Sequence, residues 1–385
     1  MTRVFVFLVA VLGLFCVAAQ AQEALPAFET KARNAILIDG KSGEVFFEKD
    51  ADTAVPPASM SKMMLQSIIF DMLQSGDLKE DQEFTVSVDA WKRGGGAAGG
   101  STMWLEPNKP VRVIDLLRGA IIQSANDACL ALAEGIAGSE SAFLERMRRK
   151  AEKLGLKNSQ FRNVTGLPDP DHKMSVRDLA ILARHIIYEH PDRYPIYGER
   201  NFTWNKIAQE NRNPLLKDYP GADGMKTGYT KEAGYGLVGS VQRDGRRLIM
   251  VIAGLEVIGD RKLEAQRLLD WGFCQFKTID VFEAGETVSK ARVWGGAEQF
   301  VDLQVDNAYQ VALTPLEQKT VEMKLSYKGP LIAPVKGGEQ VGTARVLVKG
   351  KVVSEVPVTT AKDIAAVDSI WRKALDSVLI MVLGG

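Results

Sequence analysis

Three short segments hold side chains that could act together as a nucleophile, its base and an anion clamp. The first is Pro57-Ala58-Ser59-Met60-Ser61-Lys62. A helix beginning near Ser59 puts Ser59 and Lys62, three positions apart, on one face. Ser61 is adjacent to Lys62 and projects about 100° away from it. A serine hydroxyl is unreactive until a base takes its proton. A lysine can be that base when burial and a neighbouring positive charge hold it neutral. The same residues also describe an ordinary helix start with Ser59 as its N-cap. On this segment alone the cap is the simpler reading.

Two further segments shift the balance. Ser124-Ala125-Asn126 stands where an apolar pattern restarts, so a hydroxyl and an amide project from a helix start. Lys226-Thr227-Gly228 puts a lysine and a hydroxyl beside a glycine on a short strand, supplying positive charge, a donor and room for a ligand's backbone. Each pattern is weak alone, and Ser124 could be only a cap. The order S-x-x-K, S-x-N, K-T-G is specific. Histidine is scarce: the chain has His172, His185 and His190 and no G-x-S-x-G elbow. A serine enzyme built from these residues therefore has lysine, not a Ser-His-Asp triad, as its expected base.

The surrounding chain must fold to bring those segments together. Its 385 residues suit two domains. Lys+Arg and Asp+Glu balance at 48 each, so no overall basic field favours nucleic acid as a partner. Residues 1–21 read as a cleaved secretory signal: Arg3, an apolar run over residues 4–18, then Ala19-Gln20-Ala21. Cleavage leaves Cys129 and Cys274, each in apolar, helix-like sequence. An exported chain could pair them, and two separately buried thiols are the preferred reading. No CxxC or Cys/His ligand spacing occurs, so no structural zinc site and no cofactor are expected.

Residues 22–276 mix strands and helices. Residues 35–38 and 44–48 flank a turn and read as a hairpin. Helical periodicity runs over residues 59–73, 113–122, 125–136, 140–154, 175–189 and 261–271. A second hairpin joins residues 235–243 and 247–253 through Asp244-Gly245. Strands at both ends with helices between predict an α/β (α+β) domain, an antiparallel sheet flanked by helices. Gly94 to Gly100, sequence GGGAAGG, lacks the context of a phosphate loop and reads as a flexible surface loop. Residues 277–362 show short alternating segments with frequent turn signals, a small all-β sandwich without catalytic residue types. Residues 363–385 carry Val367, Ile370, Trp371, Ala374, Leu375 and Val378 at helical spacing. That is an amphipathic helix, either lying in a membrane interface or docked on the β-domain.

With these residues in hand, the chain resembles the serine penicillin-recognising enzymes, and more closely the low-molecular-mass penicillin-binding proteins that are D-alanyl-D-alanine carboxypeptidases. The similarity runs through PASMSKMM, SANDAC, GLKNSQFRNVTGL, NRNPLL, DGMKTGYT and AGYGLVGS, and through the order signal, catalytic domain, β-domain, amphipathic tail. The resemblance implies that Ser59 attacks the penultimate D-alanine carbonyl of a peptidoglycan stem peptide, with Lys62 as base. It implies that Ser124 and Asn126 relay a proton and hold Lys62 and the substrate amide. Lys226, Thr227 and Arg261 would bind the terminal carboxylate, with Gly228 making room. The backbone N–H groups of Ser59 and Tyr229 would form the oxyanion hole. β-Lactams are the implied inhibitors, and the location is periplasmic, on the outer face of the cytoplasmic membrane.

Departures are Ala125 in place of a glycine, Tyr229 in place of a common histidine, and an expanded Gly94–Gly100 stretch. A β-lactamase of class A would need a further glutamate, and no Glu followed four residues on by Asn lies between Asn126 and Lys226. A D,D-endopeptidase and a non-catalytic peptidoglycan-binding protein remain as alternatives.

Overall fold

The computed structural model describes residues 28–383, so the leader expected over residues 1–21 lies outside the described residues. The chain divides into two compact units, with the break between Cys274 and Gln275.

The first unit opens with strand β1 (Asn34–Asp39) and β2 (Val45–Lys49), the expected hairpin. A short turn of 3-10 helix, Ala58–Ser61, runs into α1 (Lys62–Ser75). Then come β3 (Glu83–Thr85), α2 (Val88–Gly94), β4 (Pro110–Arg112), α3 (Val113–Ile122), α4 (Asn126–Ala137), α5 (Glu140–Leu154) and α6 (Val176–Glu189). A small hairpin, β5 (Asn201–Trp204) with β6 (Ile207–Glu210), and the single turn α7 (Leu215–Asp218) lead to three long strands. These are β7 (Ala222–Thr230), β8 (Gly234–Arg243) and β9 (Arg246–Leu255), and α8 (Ile258–Gln275) follows.

The terminal hairpins do meet. The sheet order is β2-β1-β9-β8-β7, with every neighbouring pair antiparallel. Side chains alternate between faces of a strand, so the sheet is buried on two sides by different helices. Ile36, Ile38, Ile249 and Val251 join the core made by α1, α3, α4, α5 and α6. Leu37 and Leu248 point to the opposite face, where a Cβ on Gly272 of α8 would come within 2.5 and 2.9 Å of them. Only glycine lets α8 lie that close.

True caps are visible elsewhere. Ser87, Ser139 and Ser175 accept hydrogen bonds from Ala90, Ala142 and Asp178 N–H at the starts of α2, α5 and α6. The helix expected to begin at Ser175 therefore begins one residue later, on its cap.

Two expectations need correction. The stretch from Gly94 to Gly100 is not a free loop at its first half. Gly94 closes α2, and a Cβ there would lie 2.3 Å from the backbone nitrogen of Asp127. A Cβ on Gly96 would overlap the Trp104 ring. The glycines are packing devices that let α2 abut the first turn of α4, while residues 97–100 stay exposed. Among the cysteines, both thiols are free, but only Cys129 is buried; Cys274 is exposed near the end of α8.

The second unit is β-rich with a terminal helix, as the alternation of short segments predicts. Strands β10 (Lys277–Phe282), β11 (Glu286–Trp294), β12 (Phe300–Val305) and β13 (Tyr309–Leu313) precede a single helical turn, α9 (Pro315–Gln318). After it come β14 (Val321–Tyr327), β15 (Leu331–Ile332), β16 (Gln340–Val348) and β17 (Lys351–Thr360). They form a six-stranded sheet, β14-β16-β17-β12-β11-β15, and a two-stranded β10-β13 pair around Val293, Val301, Leu303, Val346 and Val358. Helix α10 (Ile370–Leu383) is tied to the turn after β11. There Gly295 N–H donates to buried Asp376, Trp294 Nε1–H to Ser377, and Arg372 to the Ala297 carbonyl.

Gly94→Val places a branched side chain against the backbone of Asn126 and Asp127. Overpacking of this kind costs about 2–3 kcal/mol. Urea unfolding of the variant is expected to show that loss, and an unchanged midpoint would mean that the stretch is as free as its composition suggests.

Candidate active site

The turn that carries Ser59 is clamped from two sides. Ala58 adopts a left-handed φ of 49°, a conformation an alanine takes only when its surroundings impose it. On one side a Cβ on Gly166 would lie 2.1 Å from the Ala58 carbonyl oxygen. On the other, a Cβ on Gly228 of β7 would meet the Pro57 carbonyl at 2.9 Å and the Ala58 Cβ at 3.2 Å. The third residue of the K-T-G segment is thus glycine because an edge strand lies directly on the turn that carries Ser59.

Ser59 caps nothing. It lies inside the Ala58–Ser61 turn, whose start carries no side-chain cap bond, and its Oγ accepts a hydrogen bond from Lys62 Nζ at 2.7 Å. Lys62 is fully buried and also donates to the Thr165 carbonyl. Burial, helped by the charge of Arg212, pulls its pKa down to about 8, with Asp127 acting in the opposite direction. The buried Cys129 thiol is itself pushed up to about 11, so at neutral pH it offers Lys62 no negative charge. A fraction of Lys62 is therefore neutral and basic near pH 7–8, in hydrogen-bond contact with a hydroxyl. That is the arrangement general-base activation requires. Ser61 instead donates to the Ala58 carbonyl at 3.1 Å.

Ser124 and Asn126 sit at the α3–α4 junction. The N-cap of α4 is Ala125, without a side-chain bond. Ser124 has a positive φ of 61°, is buried, and its Oγ has no hydrogen-bond partner. An unsatisfied buried hydroxyl is costly, and here it is available to a bound molecule. Asn126 is buried; its backbone N–H donates to the Ser101 carbonyl at 2.7 Å. A Cβ on Gly100 would lie 2.8 Å from its side-chain nitrogen.

The K-T-G strand lies at the edge of the sheet. Lys226 is buried, and burial, followed by the charges of Lys62 and Arg212, drives its pKa well below the ordinary lysine value. Its Nζ makes one long contact, 3.4 Å to the Thr227 carbonyl. Thr227 and Gly228 are buried, whereas Tyr229 is 54% exposed and stacks on Tyr235 with ring centroids 4.2 Å apart. Arg261 lies over the other ring of that pair, 5.8 Å from the Tyr235 centroid, and its buried Nε has no hydrogen-bond partner. Burial lowers its pKa too, with Arg212 adding to the effect.

Residues that sequence reasoning passed over complete the site. Arg212, inside the NRNPLL segment, donates to Ser101 Oγ and Gln123 Oε1, and its charge acts on Lys62, Lys226 and Arg261 alike. Four cationic groups thus converge on one region, and none has an ion-pair partner among the described residues. Asp127, fully buried, accepts from Thr102 Oγ1 and from the N–H groups of Met103, Leu105 and Ala128. It pins the residue 102–105 segment beside α4. Asn163 Oδ1 accepts from the N–H groups of Thr165, Gly166 and Leu167 and so shapes the loop whose carbonyl meets Lys62. His172 is no base: burial lowers its pKa to about 4, and Nδ1 accepts the Arg162 N–H. Only NRNPLL and the N-V-T-G run hinted at any of these.

Comparison with known proteins identifies the family. The family model for D-alanyl-D-alanine carboxypeptidase, peptidase S11, matches residues 18–256, and that for the penicillin-binding protein 5 C-terminal domain matches residues 276–366. The chain is 38% identical to D-alanyl-D-alanine carboxypeptidase DacC of Escherichia coli, over 89% of this chain and 87% of that one. Among solved structures it is similar to penicillin-binding protein 5 of Haemophilus influenzae, with 35% identity and a TM-score of 0.80. That match covers 89% of this chain and all of the other. It is also similar to penicillin-binding protein D2 of Listeria monocytogenes in its ampicillin-bound form. Identity there is 27% and the TM-score 0.56, over 64% of this chain and 99% of the other. The chain belongs to the peptidase S11 family, the serine-type D-alanyl-D-alanine carboxypeptidases.

Proposed function

We propose that this carboxypeptidase acts through an acyl-enzyme on Ser59, and the observation that carries the reading is the buried Lys62 amine 2.7 Å from the Ser59 hydroxyl. Ser59 Oγ attacks the carbonyl of the penultimate D-alanine in a peptidoglycan stem peptide while neutral Lys62 takes its proton. The oxyanion forms against the backbone N–H groups of Ser59 and Tyr229, where one such donor is worth about 3 kcal/mol. The C–N bond then breaks, and the leaving amine of D-alanine receives a proton through Ser124, whose hydroxyl has no other partner. Asn126 holds the substrate amide. Water, deprotonated in turn, releases the shortened peptide and restores Ser59.

Lys226, Thr227 and Arg261 bind the terminal carboxylate. Cations buried without counter-ions select an anionic ligand, since the anion removes their mutual repulsion. A guanidinium held over an aromatic ring suits a planar carboxylate. The same groups receive a β-lactam carboxylate, in line with the ampicillin-bound relative, and the missing deacylation glutamate makes β-lactams inhibitors.

The wider reading is a signal over residues 1–21, a catalytic domain over 22–276, a β-domain over 277–362 and an anchoring helix over 363–385. It places the enzyme in the periplasm, on the outer face of the cytoplasmic membrane. Among the described residues no helix is long and apolar enough to cross a membrane. Helix α10 is bonded to the β-domain on one side, yet exposes Ile370 and Trp371 by more than 80% and Leu375 and Val378 by more than half. An apolar stripe left in water on a docked helix supports attachment at a lipid interface.

Incubation with labelled penicillin followed by mass spectrometry is expected to locate one adduct on Ser59, absent from Ser59→Ala. Label at another residue, or none while D-alanine is still released, overturns the mechanism. Replacing Trp371 and Leu375 together by serine is expected to move the protein into the soluble fraction with unchanged D-alanine release; a variant that still sediments with membranes contradicts the anchor.

A further inference from the structure

Two histidines and an aspartate that the reaction does not use converge at the far end of α1. Asp71 lies on α1, nine residues beyond Lys62 or about 14 Å along the helix. His185 lies on α6, and His190 caps that helix, its backbone N–H donating to the Ile186 carbonyl. One ligand-type atom from each of the three lies within 4.8 Å of the others. The nitrogen His190 Nε2 is 3.1 Å from Asp71 Oδ1, and His185 Nε2 is 4.0 Å from the same oxygen.

The hub of this cluster already holds a cation. Lys150, from α5, brings its ammonium to 2.5 Å from Asp71 Oδ2 and 2.8 Å from His185 Nε2. His190 is 3% exposed and walled by the Phe70 ring. Its Nε2 faces the carboxylate without a directed hydrogen bond. A lysine–aspartate pair alone does not require two imidazoles, and the buried His190 Nε2 lies 3.1 Å from the carboxylate without good hydrogen-bond alignment.

We propose that Asp71, His185 and His190 bind a divalent first-row metal ion such as Zn2+, and that the Lys150 ammonium holds the place when no metal is bound. Two imidazole nitrogens and one carboxylate oxygen form a donor set suited to zinc. The ligand atoms of a tetrahedral zinc site are about 3.3 Å apart, so closure from the present separations needs only small side-chain movements. Asp71 and His185 are partly exposed, leaving a path for the ion and room for water as a further ligand. All the ligands sit on or at the end of helices, so the ion would tie α1 to α6 and brace the helix whose first residue is Lys62. Its role is structural, apart from the chemistry at Ser59.

Isothermal titration of the full, EDTA-dialysed chain with ZnCl2 tests this, with thermal unfolding followed alongside. One ion per chain and a raised unfolding midpoint are expected. His185→Gln, which removes the more exposed imidazole, is expected to weaken binding at least tenfold. Lys150→Met, which removes the internal competitor, is expected to strengthen it at least tenfold. D-alanine release that is unchanged in both variants certifies their folding. Binding absent from the native chain, binding confined to Lys150→Met, or binding that survives in His185→Gln overturns the proposal.

Discussion

A lysine side chain held out of water, without a carboxylate beside it, is the constraint on which the rest of this molecule turns. Lys62 is the first residue of α1 and fully buried. Its Nζ has two partners, the Ser59 hydroxyl and the Thr165 carbonyl, both neutral acceptors. A carboxylate in either place would favour the ammonium over the neutral amine. Asp127 is near enough to influence Lys62, but its carboxylate is occupied by three backbone N–H groups and a hydroxyl. Arg212 supplies the opposite influence, a positive charge that makes a second cation nearby less favourable.

Close backbone approach is the other half of the design. Gly166 and Gly228 admit the loop and the edge strand that grip the Ser59 turn, and Gly94 admits α2 against the start of α4. Each removes a Cβ so that a functional residue can be held by backbone on more than one side. Sites held that way are rigid. The strain at Ala58 and Ser124, both with positive φ, sits at the two hydroxyl-bearing corners of the site, where the surrounding packing sustains it.

The antiparallel sheet was legible because its two hairpins carry local signals, an alternating pattern and an Asp-Gly turn, and because both must bury an apolar face. The helices were legible from periodicity, with boundaries displaced where a serine proved to be the cap. Ser59 could be told from a cap in sequence only by company: Ser124, Asn126 and Lys226 lie far along the chain. The geometry separates the cases directly, since Ser87, Ser139 and Ser175 accept helix N–H groups and Ser59 accepts from a lysine. Composition misled at Gly94–Gly100, where glycine signals tight packing as readily as freedom. Arg212, Asp127 and Asn163 were hidden because each works through partners distant in sequence, and a single arginine, aspartate or asparagine has no pattern. The Asp71, His185 and His190 cluster was hidden for the same reason, since Asp71 on α1 lies more than a hundred residues from the two histidines of α6 and its C-cap.

Burial is what would make Lys62 a base. Its titration can be followed directly by NMR in protein carrying 13Cε-labelled lysine, with the Lys62 signal assigned by its absence from Lys62→Arg. The expected midpoint is near 8, far below the ordinary lysine value of 10.5. A midpoint close to 10.5 would leave Lys62 protonated throughout the physiological range and contradict its role.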